Sequence, residues 1–163
     1  MKHLKVTCLL VAILLSASIG FSAEDMHWPQ FREAVRNCNL SEVATLLNDG
    51  FDINYVDDNG WSALHWANFN SQLEVRPFVE TIDLLIKNGI DVNKTDKRGR
   101  TALLLLIRPG NDQIIPPPLA AIKLLVAAGT DLDLKDENGN SVISVGTDSE
   151  FDQVREYFIQ TTK

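Results

Sequence analysis

The feature that most constrains this chain is a turn that returns. Asp57-Asp58-Asn59-Gly60-Trp61-Ser62-Ala63-Leu64-His65-Trp66-Ala67 joins an Asp, two polar residues and a Gly to an apolar stretch. Weaker copies follow at Asp96-Lys97-Arg98-Gly99-Arg100-Thr101-Ala102-Leu103 and Asp136-Glu137-Asn138-Gly139-Asn140-Ser141-Val142-Ile143. An Asp carboxylate bonds the backbone N–H groups after it and Gly enters positive φ without steric cost, so each copy predicts a tight turn. Ser62 is suited to cap a helix, and Leu64 with Ala67 opens an apolar face at helical spacing.

A second marker precedes each turn. Leu46-Leu47-Asn48-Asp49-Gly50, Leu84-Leu85-Ile86-Lys87-Asn88-Gly89 and Leu124-Leu125-Val126-Ala127-Ala128-Gly129 each read as a helix end closed by a glycine. Short extended segments follow: Phe51-Asp52-Ile53-Asn54, Ile90-Asp91-Val92-Asn93 and Thr130-Asp131-Leu132-Asp133. The glycine of each helix end and the glycine of the next turn are ten residues apart in all three copies (50 to 60, 89 to 99, 129 to 139), which implies one fixed local geometry.

On Gly60, Ser62, Leu64, His65, Ala67, Leu84, Leu85, Gly89, Asp91, Val92 and Asn93 the sequence resembles the ankyrin repeat, a β-turn followed by two antiparallel helices. The resemblance covers about residues 28 to 160 and implies an all-α solenoid of about four helix pairs joined by β-hairpin-like turns. Its repeats would run approximately 28–57, 58–96, 97–136 and 137–161, the end ones atypical. The turn glycines stand 39 and 40 residues apart, against about 33 for the family. Since the ten-residue connector is constant, the surplus belongs between the two helices of each central repeat, within Asn68 to Pro77 and Arg108 to Pro118. Pro of the family motif is replaced by Ala63 and Ala102, and its His survives only as His65, with Leu104 and Ser144 elsewhere. In the family that His ties adjacent turns, so its loss implies looser stacking toward the C-terminus.

Residues 1–22 have another character. Lys2 and Lys5 precede an uncharged apolar run from Val6 to Phe21, and Glu24-Asp25 follow. This reads as a signal peptide cut after Ser22, with a cut after Ala23 as the alternative, and implies a secreted or periplasmic protein. The run is short for a membrane span of about 20 apolar residues; an uncleaved anchor is the competing reading. The remaining 23–163 would form one repeat domain. The chain carries 15 basic and 22 acidic residues, net −7, and loss of the two leader lysines makes this −9. Such a surface disfavours nucleic acid and unassisted contact with anionic lipid. Cys38 is the only cysteine beyond the leader, so no intrachain disulfide forms there; it reads as a small core thiol or a reactive one.

Along the domain, Phe31, Val35, Leu40, Val43, Leu46 and Leu47 give two helical faces split near Asn37-Cys38-Asn39. Asn70-Ser71 would end the first helix of the second repeat, and Pro77 suits the first turn of the next. Residues 101–107 are apolar all round and should be buried on most sides. Pro116-Pro117-Pro118 favours a stiff extended segment launching a helix at Leu119. Phe151, Val154, Tyr157 and Phe158 line a closing helix whose Asp152, Arg155 and Glu156 face water.

Catalytic chemistry finds no footing. A Ser or Cys nucleophile needs a base within reach, yet beyond the leader only His27 and His65 exist, and the repeat accounts for the second. No His pair has metal-ligand spacing, and no glycine loop is built for phosphate. The expectation is a monomeric, non-enzymatic protein-binding module without cofactor or metal. The resemblance implies contact through hairpin tips and the concave face of the first helices, which places Asp58, Asn59 and Trp61, then Lys97, Arg98 and Arg100, then Glu137, Asn138 and Asn140 at the site. Trp61 beside Arg98 and Arg100 would suit an acidic or aromatic segment of a partner; alternatively Trp61 packs on its neighbour. A different class of reading is a self-associating envelope scaffold that uses the insert around Ile114-Ile115-Pro116.

Overall fold

The computed structural model describes residues 23–68, 75–108 and 116–161. Its helices come in pairs: α1 (Ala23–Arg36) with α2 (Leu40–Asn48), α3 (Ala63–Ala67) with α4 (Val75–Lys87), α5 (Ala102–Ile107) with α6 (Leu119–Ala127), and α7 (Val142–Thr147) with α8 (Asp152–Thr161). First helices pack in the order α1, α3, α5, α7, and second helices in the order α2, α4, α6, so the chain forms two layers with α8 closing on α7. No strand occurs among the described residues; a single antiparallel bridge joins Thr95 and Thr101. The fold is the all-α solenoid of helix pairs expected from the repeat.

The core lies between the layers and runs the length of the stack. Phe31, Leu64, Phe78, Ile82, Leu85, Leu103, Leu106, Ile122, Leu125 and Phe158 are fully buried. Each repeat supplies one apolar stripe that only its neighbours can cover, which makes the core continuous. At the N-terminal end Trp28 and Phe31 meet Phe51 and Tyr55, with Phe31 stacked on Phe51 at 4.3 Å.

Each helix end follows from its glycine. Phe51 N–H donates to Leu46 O, Ile90 N–H to Leu85 O and Thr130 N–H to Leu125 O at 3.1 to 3.3 Å. These are the bonds that close a helix when a left-handed residue follows it. The extended segments are then tied by an asparagine ladder: Asn54 accepts from Asp91 N–H at 2.7 Å, and Asn93 accepts from Asp131 N–H at 2.7 Å. Their amides donate onward to Gly89 O and Gly129 O. Asp133 holds the third position, and a carboxylate cannot make the onward donation.

The surplus residues lie where the period places them. α3 ends at Ala67 and α4 begins at Val75, and α5 ends at Ile107 while α6 begins at Leu119. Pro77 sits in the first turn of α4, and Pro118, extended at φ −63° and ψ 110°, launches α6. The helix end expected at Asn70-Ser71 falls outside the described residues, as do most of both inserts and the leader 1–22.

α1 carries Pro29 inside it, at the loss of one ladder bond. One expectation needs correction. Arg155 is half-buried rather than turned to water, because its Nη1 donates to Ser149 O at 2.7 Å. No described helix is long and apolar enough to cross a membrane.

Candidate functional site

The three turns share one construction. Asp57 Oδ1 accepts from Asn59 and Trp61 N–H, Asp96 Oδ1 from Arg98 and Arg100 N–H, and Asp136 Oδ1 from Asn138 and Asn140 N–H, all at 2.8 to 3.0 Å. The recurring acids therefore hold the backbone. Adjacent turns are also stitched together, Lys97 N–H to Asn59 O at 3.0 Å and Glu137 N–H to Arg98 O at 2.9 Å. Glycine is required at this approach: at Gly60, φ is 77° and a Cβ would lie 3.1 Å from the Asp96 Cα.

His65 locks the first pair of turns. Ser62 N–H donates to its Nδ1 at 3.2 Å, so the proton of the neutral ring is on Nε2, which donates to Arg100 O at 3.0 Å. Burial lowers the pKa of this imidazole below its ordinary value, outweighing the opposite pull of the Arg100 carbonyl and the Asp96 charge. The second pair of turns has Leu104 in that position and is closed by ions. Arg108 Nη1 donates to Asp136 Oδ2 at 3.1 Å, and Arg98 pairs with Glu137. Burial works to raise the Asp136 carboxyl, but bonds from Asn140 and Asn138 and the Arg108 charge hold it below the usual range. At this junction, where the His is missing, ion pairs join the two turns instead.

Asp58, Asn59, Lys97, Arg98, Glu137 and Asn138 stand exposed along this row of tips, while Trp61, Arg100 and Asn140 are half-buried. The pairing of Trp61 with two free guanidinium groups is not the arrangement found. Arg100 turns back on its own turn, Nε and Nη2 reaching Asp96 Oδ2 at 2.8 and 2.6 Å, with 17% of its side chain exposed. Burial of Asp96 works to raise its carboxyl, and the Arg100 and Arg98 bonds overcome that and lower it. Asn140 likewise bonds both oxygens of Asp136. Trp61 packs edge-on against Trp66 at 5.0 Å and lies 6.2 Å from the His65 ring.

A cluster beside the tips was missed from the sequence. Trp66 on α3 donates from Nε1 to Asp57 Oδ2 at 3.0 Å, and two guanidinium groups of α1 lie over its ring, Arg32 at 4.9 Å and Arg36 at 5.9 Å. The available signals were an Arg pair at i, i+4 and a large aromatic directly after the motif His, where α5 carries Leu105 and α7 carries Val145. Among the described residues no group of His, Cys, Asp and Glu gathers as a metal site.

With this geometry, the chain was compared with known proteins. A family model described as ankyrin repeats (many copies) matches residues 31–75, and one for the single ankyrin repeat matches residues 59–97. The Notch-regulated ankyrin repeat-containing protein of Xenopus laevis is 33% identical over 52% of this chain and 73% of its own length. The E3 ubiquitin-protein ligase hecd-1 of Caenorhabditis elegans is 30% identical over 76% of this chain, which spans 4% of that protein. The variola virus ankyrin repeat protein OPG189 is 34% identical over 44% of this chain and 13% of its own length.

Proposed function

The chain belongs to the ankyrin-repeat family, generally a family of non-catalytic protein-interaction modules, and from that membership we infer that it is a binding module without enzymatic activity; from the basic start and uncharged apolar run of residues 1–22 we infer that it is exported, and we propose that it acts as a monomer. It contacts a protein partner through its hairpin tips and the exposed face of its first helices. One observation carries this reading. The tips are fixed at backbone level by Asp57, Asp96, Asp136 and the inter-turn bonds, while the side chains between them, Asp58, Asn59, Lys97, Arg98, Glu137 and Asn138, stay exposed. A rigid row of adaptable side chains gives contact area at little ordering cost. The activities named for longer relatives, a ubiquitin ligase and a palmitoyltransferase, belong to proteins of which this chain spans 4% and 15%.

The test places a photo-crosslinking side chain at Asn59, Lys97 or Asn138, and as control at the exposed Glu80 of α4. Discrete adducts from the tip positions and none from Glu80 are expected; adducts from Glu80 alone, or from no position, would overturn the binding face. Export is tested separately by intact mass: loss of residues 1–22 is expected, and a cytosolic species still beginning at Met1 counts against it.

A further inference from the structure

The exposed face of the first helices is graded from end to end. At the N-terminal end, Arg32 and Arg36 lie over Trp66. Beyond it come Leu105 on α5, half-exposed and outside the core cluster, and the half-buried Val145 on α7. These three residues hold the same position in successive repeats, so they form a row across α3, α5 and α7.

The two guanidinium groups differ. Arg36 donates to Glu33 Oε2 at 3.3 Å. Arg32 makes no ion pair among the described residues; its Nε, like the Nε of Arg36, is buried without an acceptor. The carboxylates around the cluster are engaged elsewhere: Glu33 by Arg36 and by Asn37 Nδ2 at 3.0 Å, Asp57 by Trp66 Nε1 and two backbone N–H groups. A buried donor without acceptor is unfavourable, and guanidinium groups match carboxylates in two-point geometry. On a chain of net charge −7, an acidic partner is repelled over most of the surface, and a guanidinium without a carboxylate partner, set beside an apolar row, favours docking there.

Resting on the binding-module reading above, we propose that Arg32, held over Trp66, receives a carboxylate from an extended partner segment whose apolar side chains, three and six residues from that acid, rest on Leu105 and Val145. The spacing follows from geometry. Packed helices stand about 8–10 Å apart, and a segment in the extended polyproline II conformation rises about 3.1 Å per residue with three residues per turn, so one step along the row matches three residues of the partner and every third side chain faces the row.

The test uses fluorescein-labelled peptides in both directions, Glu-Ser-Ser-Leu-Ser-Ser-Leu and Leu-Ser-Ser-Leu-Ser-Ser-Glu, with their Gln counterparts, titrated against the full chain. In one direction the Glu form binds wild type about tenfold more tightly than the Gln form, as loss of one charged hydrogen-bond pair implies. Arg32→Gln brings that ratio close to one, Arg98→Gln leaves it unchanged, and an unaltered thermal midpoint for Arg32→Gln excludes misfolding. Equal affinity of Glu and Gln forms for wild type, a ratio that survives Arg32→Gln, or binding only by a phosphoserine form would each overturn the proposal. Tip adducts that persist while the ratio is one would sink this inference alone; loss of both would sink the binding reading with it.

Discussion

The junction between the turns at Gly60 and Gly99 and the junction between those at Gly99 and Gly139 share a backbone and are closed by different chemistry. Both carry one inter-turn bond, Lys97 N–H to Asn59 O and Glu137 N–H to Arg98 O. The first is locked by a buried neutral imidazole, the second by Arg108 on Asp136 and Arg98 on Glu137. The turn motif therefore sets the spacing of the stack, while the side-chain clamp is exchangeable. A neutral clamp responds to pH, whereas an ionic one responds to salt.

The largest effects should be blind to that difference. Leu85 and Leu125 are both fully buried on the second helices, one serving each side of the middle turn. Replacing either with Ala is expected to cost about 2–5 kcal/mol, read as equal shifts of a single urea midpoint. Two separate transitions in either variant would mean that the junctions unfold independently.

Next come the clamps themselves. His65→Leu copies the residue that Leu104 supplies next door; it leaves Ser62 N–H without its partner and Arg100 O with only the Asp96 N–H. Arg108→Met takes the cation from Asp136, whose side chain is 0% exposed. Each should cost about 1–3 kcal/mol, the penalty of stranding a buried polar group. Added salt should shrink the Arg108→Met loss and leave that of His65→Leu unchanged. If the double variant departs from the sum of the two by more than about 0.5 kcal/mol, the clamps are coupled through the middle turn.

Acid separates the junctions more finely. The folded pKa of His65 lies below its unfolded value of 6.5. Its contribution is therefore fully present above pH 6.5 and is lost as pH falls through the folded value, because the unfolded chain takes the proton first. Asp96 and Asp136 are held below 3.8, so the stability they add is present above that pH and is lost only as pH falls further. The urea midpoint of wild type should fall in two stages, and His65→Leu should abolish the upper one. Retention of the upper stage in that variant would place its origin outside the first clamp.

Much of this architecture was legible because it repeats. The Asp-x-x-Gly turns, the closing glycines and the constant ten-residue connector each encode a local geometry, and local geometry is what a single sequence expresses well. The clamps were only half legible. His65 belongs to a recognisable motif, but Arg108 sits at the edge of an insert, and nothing in sequence spacing says that it reaches Asp136. Arg100 was read as outward because a turn tip is exposed, whereas its own buried Asp96 offered a stronger partner. Arg32 escaped notice because the first repeat lacks the motif that would have aligned it with Trp66.

The smallest effect probes the tips. Arg98 and Glu137 pair across the second junction with 56% and 46% of their side chains exposed, so solvent and salt screen most of their attraction. Arg98→Ala should cost only about 0.2–1 kcal/mol and nothing measurable at high salt. At the first junction the corresponding tip residues are Asn59 and Lys97, which make no such pair. Introducing Asn59→Glu opposite Lys97 should accordingly gain no more than Arg98→Ala loses. If instead Arg98→Ala lowered the urea midpoint as far as Arg108→Met does, the tips would be part of the clamp. They would then be unavailable as adaptable contact residues, and the binding face would have to lie wholly on the first helices around Arg32 and Trp66.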